Sequence, residues 1–155
     1  MKPNIKKIAI CLAIPLAVGG LATLLSGGMD TYPQLNQPPL SPPGWLFPIV
    51  WTILYLLMGY ASYRVHVSDA PQEDRKKALL FYGIQLFLNF LWPIIFFRFR
   101  LYWAAFFVLL ALWAFIYLTM HLFAYIDETA EDLLIPYLLW VTFAGYLNLG
   151  VALLN

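Results

Sequence analysis

The stretch from Ser41 to Tyr55, SPPGWLFPIVWTILY, organises the rest of the chain, because it begins an apolar helix with large aromatics on one face. Ser41 is a favourable helix N-cap residue, and Pro42 suits the first helical position, where its missing N–H costs nothing. At 100° per residue, one narrow stripe of this helix contains Gly44, Phe47, Trp51, Tyr55, Met58 and Ser62. Such a face can pack against a neighbouring helix or line a site for a flat, apolar ligand.

Composition indicates an integral membrane protein. Of the 155 residues, 63% are hydrophobic and 11% are charged, whereas soluble domains have about 45–50% and about 25%. The net charge of +1 gives no indication of nucleic-acid binding. The single cysteine, Cys11, excludes an internal disulfide and a multi-cysteine metal site. We therefore expect neither a metal site nor a nucleic-acid partner.

Five apolar stretches are long enough to cross a bilayer, which takes about 20 helical residues. Unbroken apolar runs without period-2 alternation argue against a transmembrane β-barrel. The sequence therefore predicts an all-α membrane protein, a five-transmembrane-helix bundle formed by one membrane domain over residues 1–155. The predicted helices cover residues 8–26, 42–63, 78–97, 101–123 and 133–154.

The connections between these helices differ in character. The segment 29–40 contains Tyr32 and three prolines and is long for a helix–helix connection, so it is either a plain connector or a lid over a site. The segment 64–77 is polar, and we expect it to be a solvated loop. A second, acidic loop is predicted from Asp127, Glu128, Glu131 and Asp132.

Basic residues predict the orientation. One side of the membrane would hold Lys2, Lys6, Lys7, Arg64, Arg75, Lys76 and Lys77, and the other only Arg98 and Arg100. Because lysine and arginine favour the cytoplasmic side, we expect a cytoplasmic N-terminus and an external 29–40 loop.

Three helix faces carry further information. The first helix has small residues every four positions, Ala9, Ala13 and Ala17, which suit close helix contact. The third carries a stripe of Gln85, Asn89, Trp92 and Phe96, and the fifth a stripe of Tyr137, Val141, Ala144 and Asn148 with Trp140 at its edge. Mid-membrane amides must face protein or a cavity, so they either bond between helices or form the polar floor of a site.

The missing residue types narrow the function. No Asp, Glu, Lys or Arg lies within a predicted span, which disfavours a pump or an antiporter. No phosphate-binding loop and no His/Cys cluster with metal-ligand spacing is present. What remains suits a large, flat, mostly apolar ligand, such as a porphyrin, sterol, quinone or carotenoid.

Three linked motifs resemble the translocator protein family, also called the tryptophan-rich sensory protein or peripheral-type benzodiazepine receptor family. They are Pro42-Pro-Gly-Trp with Trp51, Gln85-x3-Asn89-x2-Trp92-Pro93, and Pro136-Tyr137-x2-Trp140-x3-Ala144-x2-Leu147-Asn148. The likeness covers nearly the whole chain in the right order. In animal members, the asparagine of helix five is followed by a tyrosine and then a basic residue, which form a sterol motif. Here Leu149 follows Asn148, and no Lys or Arg lies beyond it. The chain therefore resembles the bacterial type, and sterol binding by that motif is in doubt.

The resemblance implies a homodimer in the bacterial plasma membrane with a pocket that opens toward the first loop. It implies binding of protoporphyrin IX and haem-like tetrapyrroles, and of synthetic isoquinoline carboxamides and benzodiazepines, with no resident cofactor required. Matched position by position, the ligand-binding residues would be Trp51, Asn89, Trp92, Trp140, Ala144, Leu147 and Asn148, with Tyr32 from the lid and Phe47, Tyr55 and Phe90 as secondary contacts.

Three function classes remain open at this stage. The first is a sensor, regulator or carrier that binds tetrapyrroles. The second is an enzyme that degrades porphyrin in light, with Trp51 and Trp140 as its catalytic residues. The third is a structural or partner-binding membrane protein whose aromatic stripes only pack.

Overall fold

The computed structural model describes residues 3–155, and this part of the chain folds into five long α-helices. All of these helices are long and apolar enough to cross a membrane, so the predicted all-α five-helix membrane bundle is confirmed. Lys2, which the orientation argument counted, lies outside the described residues. The helix bounds are Ile5–Ser26 (α1), Leu46–His66 (α2), Gln72–Pro93 (α3), Tyr102–Ala124 (α4) and Glu128–Leu154 (α5).

Two short elements lie outside these helices. A 3₁₀ turn, Tyr32–Gln34, lies within the α1–α2 loop, and a π-helical turn, Ile94–Arg98, continues α3 directly beyond Pro93. In the bundle, α1 packs against α2 and α3, α2 packs against α5, and α4 packs against α3 and α5. The fully buried centre includes Met58, Leu112, Ile116, Phe123, Leu134 and Tyr137.

The start of α2 corrects the sequence analysis. The helix begins at Leu46 and not at Pro42, and its N-cap residue, Trp45, makes no side-chain capping bond. Ser41 does not cap the helix, because its hydroxyl donates to the Pro38 carbonyl at 2.7 Å. The physical reason is Pro43, whose ring disfavours the α conformation for the residue before it. The α1–α2 loop is therefore longer than the predicted 29–40 segment.

The two polar loops at the other end of the bundle are shorter than predicted. Between α2 and α3 only residues 67–71 remain outside a helix, and the polar residues around them belong to helix ends. Asp127 caps α5, since its Oδ1 accepts from the backbone N–H groups of Thr129 (2.9 Å) and Ala130 (3.3 Å). Glu128 and Glu131 lie in the first turn, where the helix dipole favours negative charge. Hydropathy marks the membrane portion of a helix and misses such polar extensions.

The contact face of α1 also differs from the prediction. Ala9, Ala13 and Ala17 are exposed, whereas the buried face consists of Pro15, Gly19, Ala22 and Ser26. Glycine allows the closest approach on this face, because a Cβ at Gly19 would overlap the ring of Tyr55. The predicted helix end is confirmed: Gly27 and Gly28 adopt φ of 81° and 84°, which glycine tolerates without penalty.

Candidate functional site

A cavity of about 640 Å³ lies at the end of the bundle where α1, α3 and α5 finish and α2 begins. Its wall is formed by these four helices, and the α1–α2 loop contributes Met29, Tyr32, Pro33, Gln37 and Ser41. The volume falls within the range of roughly 300–1,000 Å³ that small-molecule sites occupy. The fold thus places a partly open cavity beneath the loop that the sequence marked as a possible lid.

Aromatic rings from α2, α3 and the π turn that follows α3 form much of the cavity wall. Trp51 and Tyr55 stack at 5.6 Å with a 29° angle between their planes. Trp92 and Phe96 stack at 5.0 Å and 30°. Flat faces of this kind favour offset stacking with another flat π-system. The wall can therefore accommodate a planar, largely apolar ligand.

Asn89 is a buried polar residue of this wall and is held by a chain of hydrogen bonds. The phenol of Tyr55 donates to Asn89 Oδ1 at 2.9 Å, and Asn89 Nδ2 donates to the phenol oxygen of Tyr137 at 2.7 Å. Tyr137 in turn donates to Gln85 Oε1 at 2.7 Å. Asn89 lines the cavity, whereas Gln85 and Tyr137 lie behind it. The two helix-three amides therefore differ: Gln85 bonds between helices only, and Asn89 does so while facing the cavity.

A second set of hydrogen bonds joins the parts of the cavity wall that come from α3 and α5. The indole N–H of Trp92 donates to Asn148 Oδ1 at 2.9 Å, and Asn148 Nδ2 donates to the Tyr102 carbonyl at 2.9 Å. Ala144, one turn before Asn148, leaves space because its side chain ends at Cβ. The α5 side of the cavity is thus rigid at Asn148 and open at Ala144.

The loop closes over this space through Tyr32. Its ring meets Phe47 edge-on at 5.2 Å, and its phenol donates to the Pro42 carbonyl at 2.7 Å. Burial raises the pKa of the Tyr32 phenol above its ordinary value, and a hydrogen bond with Ser41 partly opposes this. The phenol therefore stays neutral and remains a hydrogen-bond donor at physiological pH.

Several contacts hold the same loop against the end of α5. Asn36 and Asn155 exchange bonds, the shortest from Asn155 Nδ2 to the Asn36 carbonyl at 2.9 Å. The Pro38 ring fills the space above Gly150, where any Cβ would overlap it. The Tyr146 phenol donates to the Pro39 carbonyl at 2.6 Å. We call residues 36–39 together with their α5 partners the latch.

The structure brings together nine of the eleven residues that the sequence analysis named for the site. Those that line the cavity are Tyr32, Phe47, Trp51, Tyr55, Asn89, Trp92, Ala144, Leu147 and Asn148. Phe90 is half-buried and lies outside the cavity wall, since it follows Asn89 by 100° around the helix. The other residue away from the wall is Trp140.

Trp140 lines a separate groove on the outer surface between α2 and α5, which also includes the exposed Ile53 and Leu139. It approaches the cavity only through Phe47, whose ring lies edge-on to it at 5.8 Å. Trp140 stands at the edge of the α5 stripe, and its large side chain turns toward α2 from there. Trp51 and Trp140 therefore do not share the cavity wall in this structure.

Sequence reasoning missed the contribution of α1. Its cavity face consists of Leu16 and a set of small residues, namely Gly19, Gly20, Ala22, Thr23 and Ser26. The spacing of Gly19, Ala22, Thr23 and Ser26 follows helical periodicity and could have indicated this face. The signal was weak because small residues also occur at the exposed positions of α1.

Comparisons with known proteins identify the family to which this chain is similar. A model of the TspO/MBR family matches residues 8–154. The tryptophan-rich protein TspO of Chlorobaculum tepidum is 38% identical, and the alignment covers 100% of this chain and 99% of that protein. The tryptophan-rich sensory protein of Cereibacter sphaeroides is 41% identical over 81% of this chain and 77% of its own length. The translocator protein of Ovis aries is 34% identical over 87% and 82%.

These matches agree with the five-helix membrane bundle and with the family that the three sequence motifs resemble. They extend along nearly the whole chain, so they concern the complete bundle and not a single motif. The chain is an integral membrane protein and belongs to the TspO/MBR family.

Proposed function

We propose that this protein binds a tetrapyrrole, either protoporphyrin IX or a haem-like molecule, in the cavity beneath the α1–α2 loop. The observation that carries the proposal is a cavity of about 640 Å³ with two stacked aromatic pairs in its wall. A flat macrocycle can stack on Trp51 and Trp92, and Asn89 supplies a polar contact between them. A protein whose aromatic stripes only packed against each other would have no need of this space.

Binding of this kind fits a sensor, regulator or carrier. Relatives bear the names sensory protein and translocator protein, which supports a role in sensing or moving a ligand. The latch supports the same role, because it gives the cavity a cover that can respond to occupancy.

We further propose a homodimer in a bacterial plasma membrane, with the N-terminus in the cytoplasm. The exposed small-residue face of α1, Ala9, Ala13 and Ala17, suits close contact with a second copy.

Light-dependent degradation of the bound porphyrin is a second candidate function. Trp51 favours it, because this oxidisable indole lines the cavity and stacks on Tyr55 at 5.6 Å. Trp140 lies one ring away, behind Phe47, and would have no direct contact with a ligand in the cavity. If the protein has this activity, Trp51 is the indole that we expect to carry it.

The test is a titration of purified protein with protoporphyrin IX in the dark, followed by tryptophan fluorescence, and then illumination of the complex. We expect saturable quenching in the dark. Ala144→Phe should fill the space beside α5 and weaken binding at least about tenfold, about 1.4 kcal/mol. Leu139→Phe adds the same ring to an exposed position of α5 and is the matched control. Equal binding by Ala144→Phe, Leu139→Phe and the unmodified protein would place the ligand elsewhere.

A further inference from the structure

The cavity wall is nearly without charge. Among residues 3–155, Asp30 of the loop is the one ionisable acid or base on it apart from tyrosine phenols. Protoporphyrin IX and haem carry two carboxylates, and an anion buried without a partner is strongly disfavoured. A bound tetrapyrrole must therefore direct its carboxylates to water or to a cation at the cavity rim, away from Asp30.

Arg98 lies outside the cavity wall but close to it, near the end of α1. Its Nη1 donates to the Leu25 carbonyl of α1 at 3.3 Å, so the side chain spans the ends of α3 and α1. The residues next to these two in sequence, Phe97 and Ser26, both line the cavity. The guanidinium is thus close to Ser26, a residue of the cavity wall at the end of α1.

A local departure from α-helical geometry directs the Arg98 side chain toward α1. Beyond Pro93 the backbone forms a π turn, in which the Phe99 N–H donates to the Ile94 carbonyl at 3.1 Å. A π turn holds an extra residue and so changes the direction of the side chains that follow. Phe96 and Phe97 line the cavity, and Arg98 reaches α1. Turns of this kind are frequent at functional sites.

The Arg98 guanidinium also has N–H donors that are not used in hydrogen bonds within the described part of the protein. Arginine has five N–H donors, and the Leu25 carbonyl occupies one of them. Within residues 3–155 the only salt bridge joins Arg64 to Asp127, at the other end of the bundle, so Arg98 has no acidic partner there. Its side chain is exposed and can present the planar pair of N–H groups that binds a carboxylate with two parallel bonds.

We propose that Arg98 selects carboxylated ligands by pairing with a carboxylate of the tetrapyrrole at the rim between α1 and α3. The inference rests on the proposed function and adds the residue that distinguishes the acid from a neutral macrocycle of the same shape. Asp30 strengthens this preference, because its negative charge repels a ligand carboxylate at the loop side of the cavity. The carboxylate is therefore favoured at the side where Arg98 lies.

The experiment compares protoporphyrin IX with its dimethyl ester, which keeps the ring and removes both charges. Affinities for the two ligands are measured for the unmodified protein, Arg98→Gln, Arg98→Lys and Arg100→Gln in phosphatidylcholine nanodiscs. Arg98→Gln should weaken binding of the acid about fivefold, as expected for an exposed ion pair, and leave binding of the ester within about twofold. Arg98→Lys keeps the positive charge but not the planar pair of N–H groups. Its affinity for the acid should lie between those of the unmodified protein and Arg98→Gln. Arg100→Gln removes a nearby exposed cation that makes no bond to α1, and it should leave both affinities unchanged.

Two outcomes would overturn the proposal. Equal weakening of acid and ester by Arg98→Gln would mean that Arg98 only closes the end of α1 at Leu25 or holds a lipid phosphate. A loss for Arg100→Gln as large as for Arg98→Gln would indicate a general electrostatic effect at this end of the bundle. Failure of the unmodified protein to bind either ligand would instead reject the proposed function, so the two failures are distinguishable.

Discussion

The phenol of Tyr137 donates a 2.7 Å hydrogen bond to Oε1 of Gln85 at the centre of the bundle, where both residues are 1% exposed. The same phenol oxygen accepts from Asn89 Nδ2 at 2.7 Å. One hydroxyl of α5 thus binds two amides of α3, one of which lines the cavity. The floor of the cavity and the α3–α5 contact therefore depend on the same atom.

Tyr137→Phe tests this dependence. The substitution removes both bonds and leaves two buried amides short of a partner, which costs about 1–3 kcal/mol in water-soluble proteins. Interhelical bonds in membranes average about 0.6 kcal/mol, so two of them favour the lower part of that range. We expect a loss of about 1–2 kcal/mol in the free energy of unfolding, measured by denaturant titration in detergent. Tyr117→Phe, at an exposed position, is the control. Equal stability of the two variants would show that the bonded hydroxyl contributes nothing.

The crossing of α1 and α2 at Gly59 gives a second prediction. A Cβ added at Gly59 would lie 2.6 Å from the Cys11 carbonyl oxygen and 2.9 Å from the Leu12 Cα. Both neighbours are backbone atoms and cannot move without moving α1. Gly59→Ala should therefore destabilise the bundle by about 1–3 kcal/mol.

Gly83→Ala is the matched control for this helix crossing. Gly83 lies inside α3 with nothing within 4 Å of an added Cβ, so alanine there should be neutral or stabilise by up to about 1 kcal/mol. Both variants can be compared by thermal unfolding in one detergent. If Gly59→Ala unfolds at the same temperature as Gly83→Ala, α1 and α2 are not in close contact in the membrane.

The elements of this fold that the sequence predicts well are those that depend on local chemistry. Long apolar runs locate the five helices, because each must satisfy its own backbone in lipid. The glycines at 27 and 28 locate the end of α1 for an equally local reason. The start of α2 is a local feature too, but the preference of Ser41 and Pro42 for a helix start is weaker than the restriction that Pro43 places on its predecessor.

Which face of each helix points inward is much harder to predict. Lipid tails are as apolar as a leucine-rich core, so the outer face of a membrane helix carries no polar signature. This is why the alanines of α1 were assigned to the contact face and are exposed. Amides avoid lipid, which predicts that Asn89 and Asn148 face protein or a cavity, and both line the cavity. Tryptophan is tolerated in either environment, so its type does not predict its direction, and Trp140 lies in the outer groove.

The latch leads to a prediction about ligand release. A methyl group at Gly150 would overlap the Pro38 ring, so Gly150→Ala should displace residues 36–39 from the end of α5. If the loop retains the ligand, release of protoporphyrin IX should become about tenfold faster, a change of about 1.4 kcal/mol. Stopped-flow fluorescence would measure it. Gly145→Ala, one turn earlier on α5, adds a methyl group at an ordinary 3.9 Å from Leu109 and is the control. Equal release rates would mean that the loop does not limit exit.

Orientation can be tested with single cysteines. The bonds between Asn36 and Asn155 place the loop and the C-terminus at the same end of the bundle, and the Asn4 amide meets Tyr63 near the other end. In a background that lacks Cys11, cysteines at Asn36 and Asn155 should react with an impermeant reagent added outside intact cells, and one at Asn4 should not. The reverse pattern would place the cavity on the cytoplasmic side and leave the fold unaffected.

The last prediction separates binding from photochemistry through two tryptophans in different positions. Trp51 lines the cavity, whereas Trp140 lies in the outer groove with Phe47 between it and the cavity. Trp51→Phe keeps an aromatic ring in the wall, so we expect porphyrin affinity to fall by no more than about tenfold, about 1.4 kcal/mol. Trp140→Phe should leave affinity within about twofold, because its indole makes no contact with the cavity.

Illumination of the same two complexes then tests the second candidate function. If the protein degrades porphyrin in light, Trp51→Phe should lower product formation far more than it lowers binding, because phenylalanine is much harder to oxidise than tryptophan. Trp140→Phe should lower it less, since Trp140 lies outside the cavity wall and Phe47 stands between its indole and the ligand. Absorbance of the products at saturating porphyrin removes the effect of affinity from the comparison. Equal product formation by both variants and the unmodified protein would exclude these indoles as reactants and leave Trp51 with a stacking role alone.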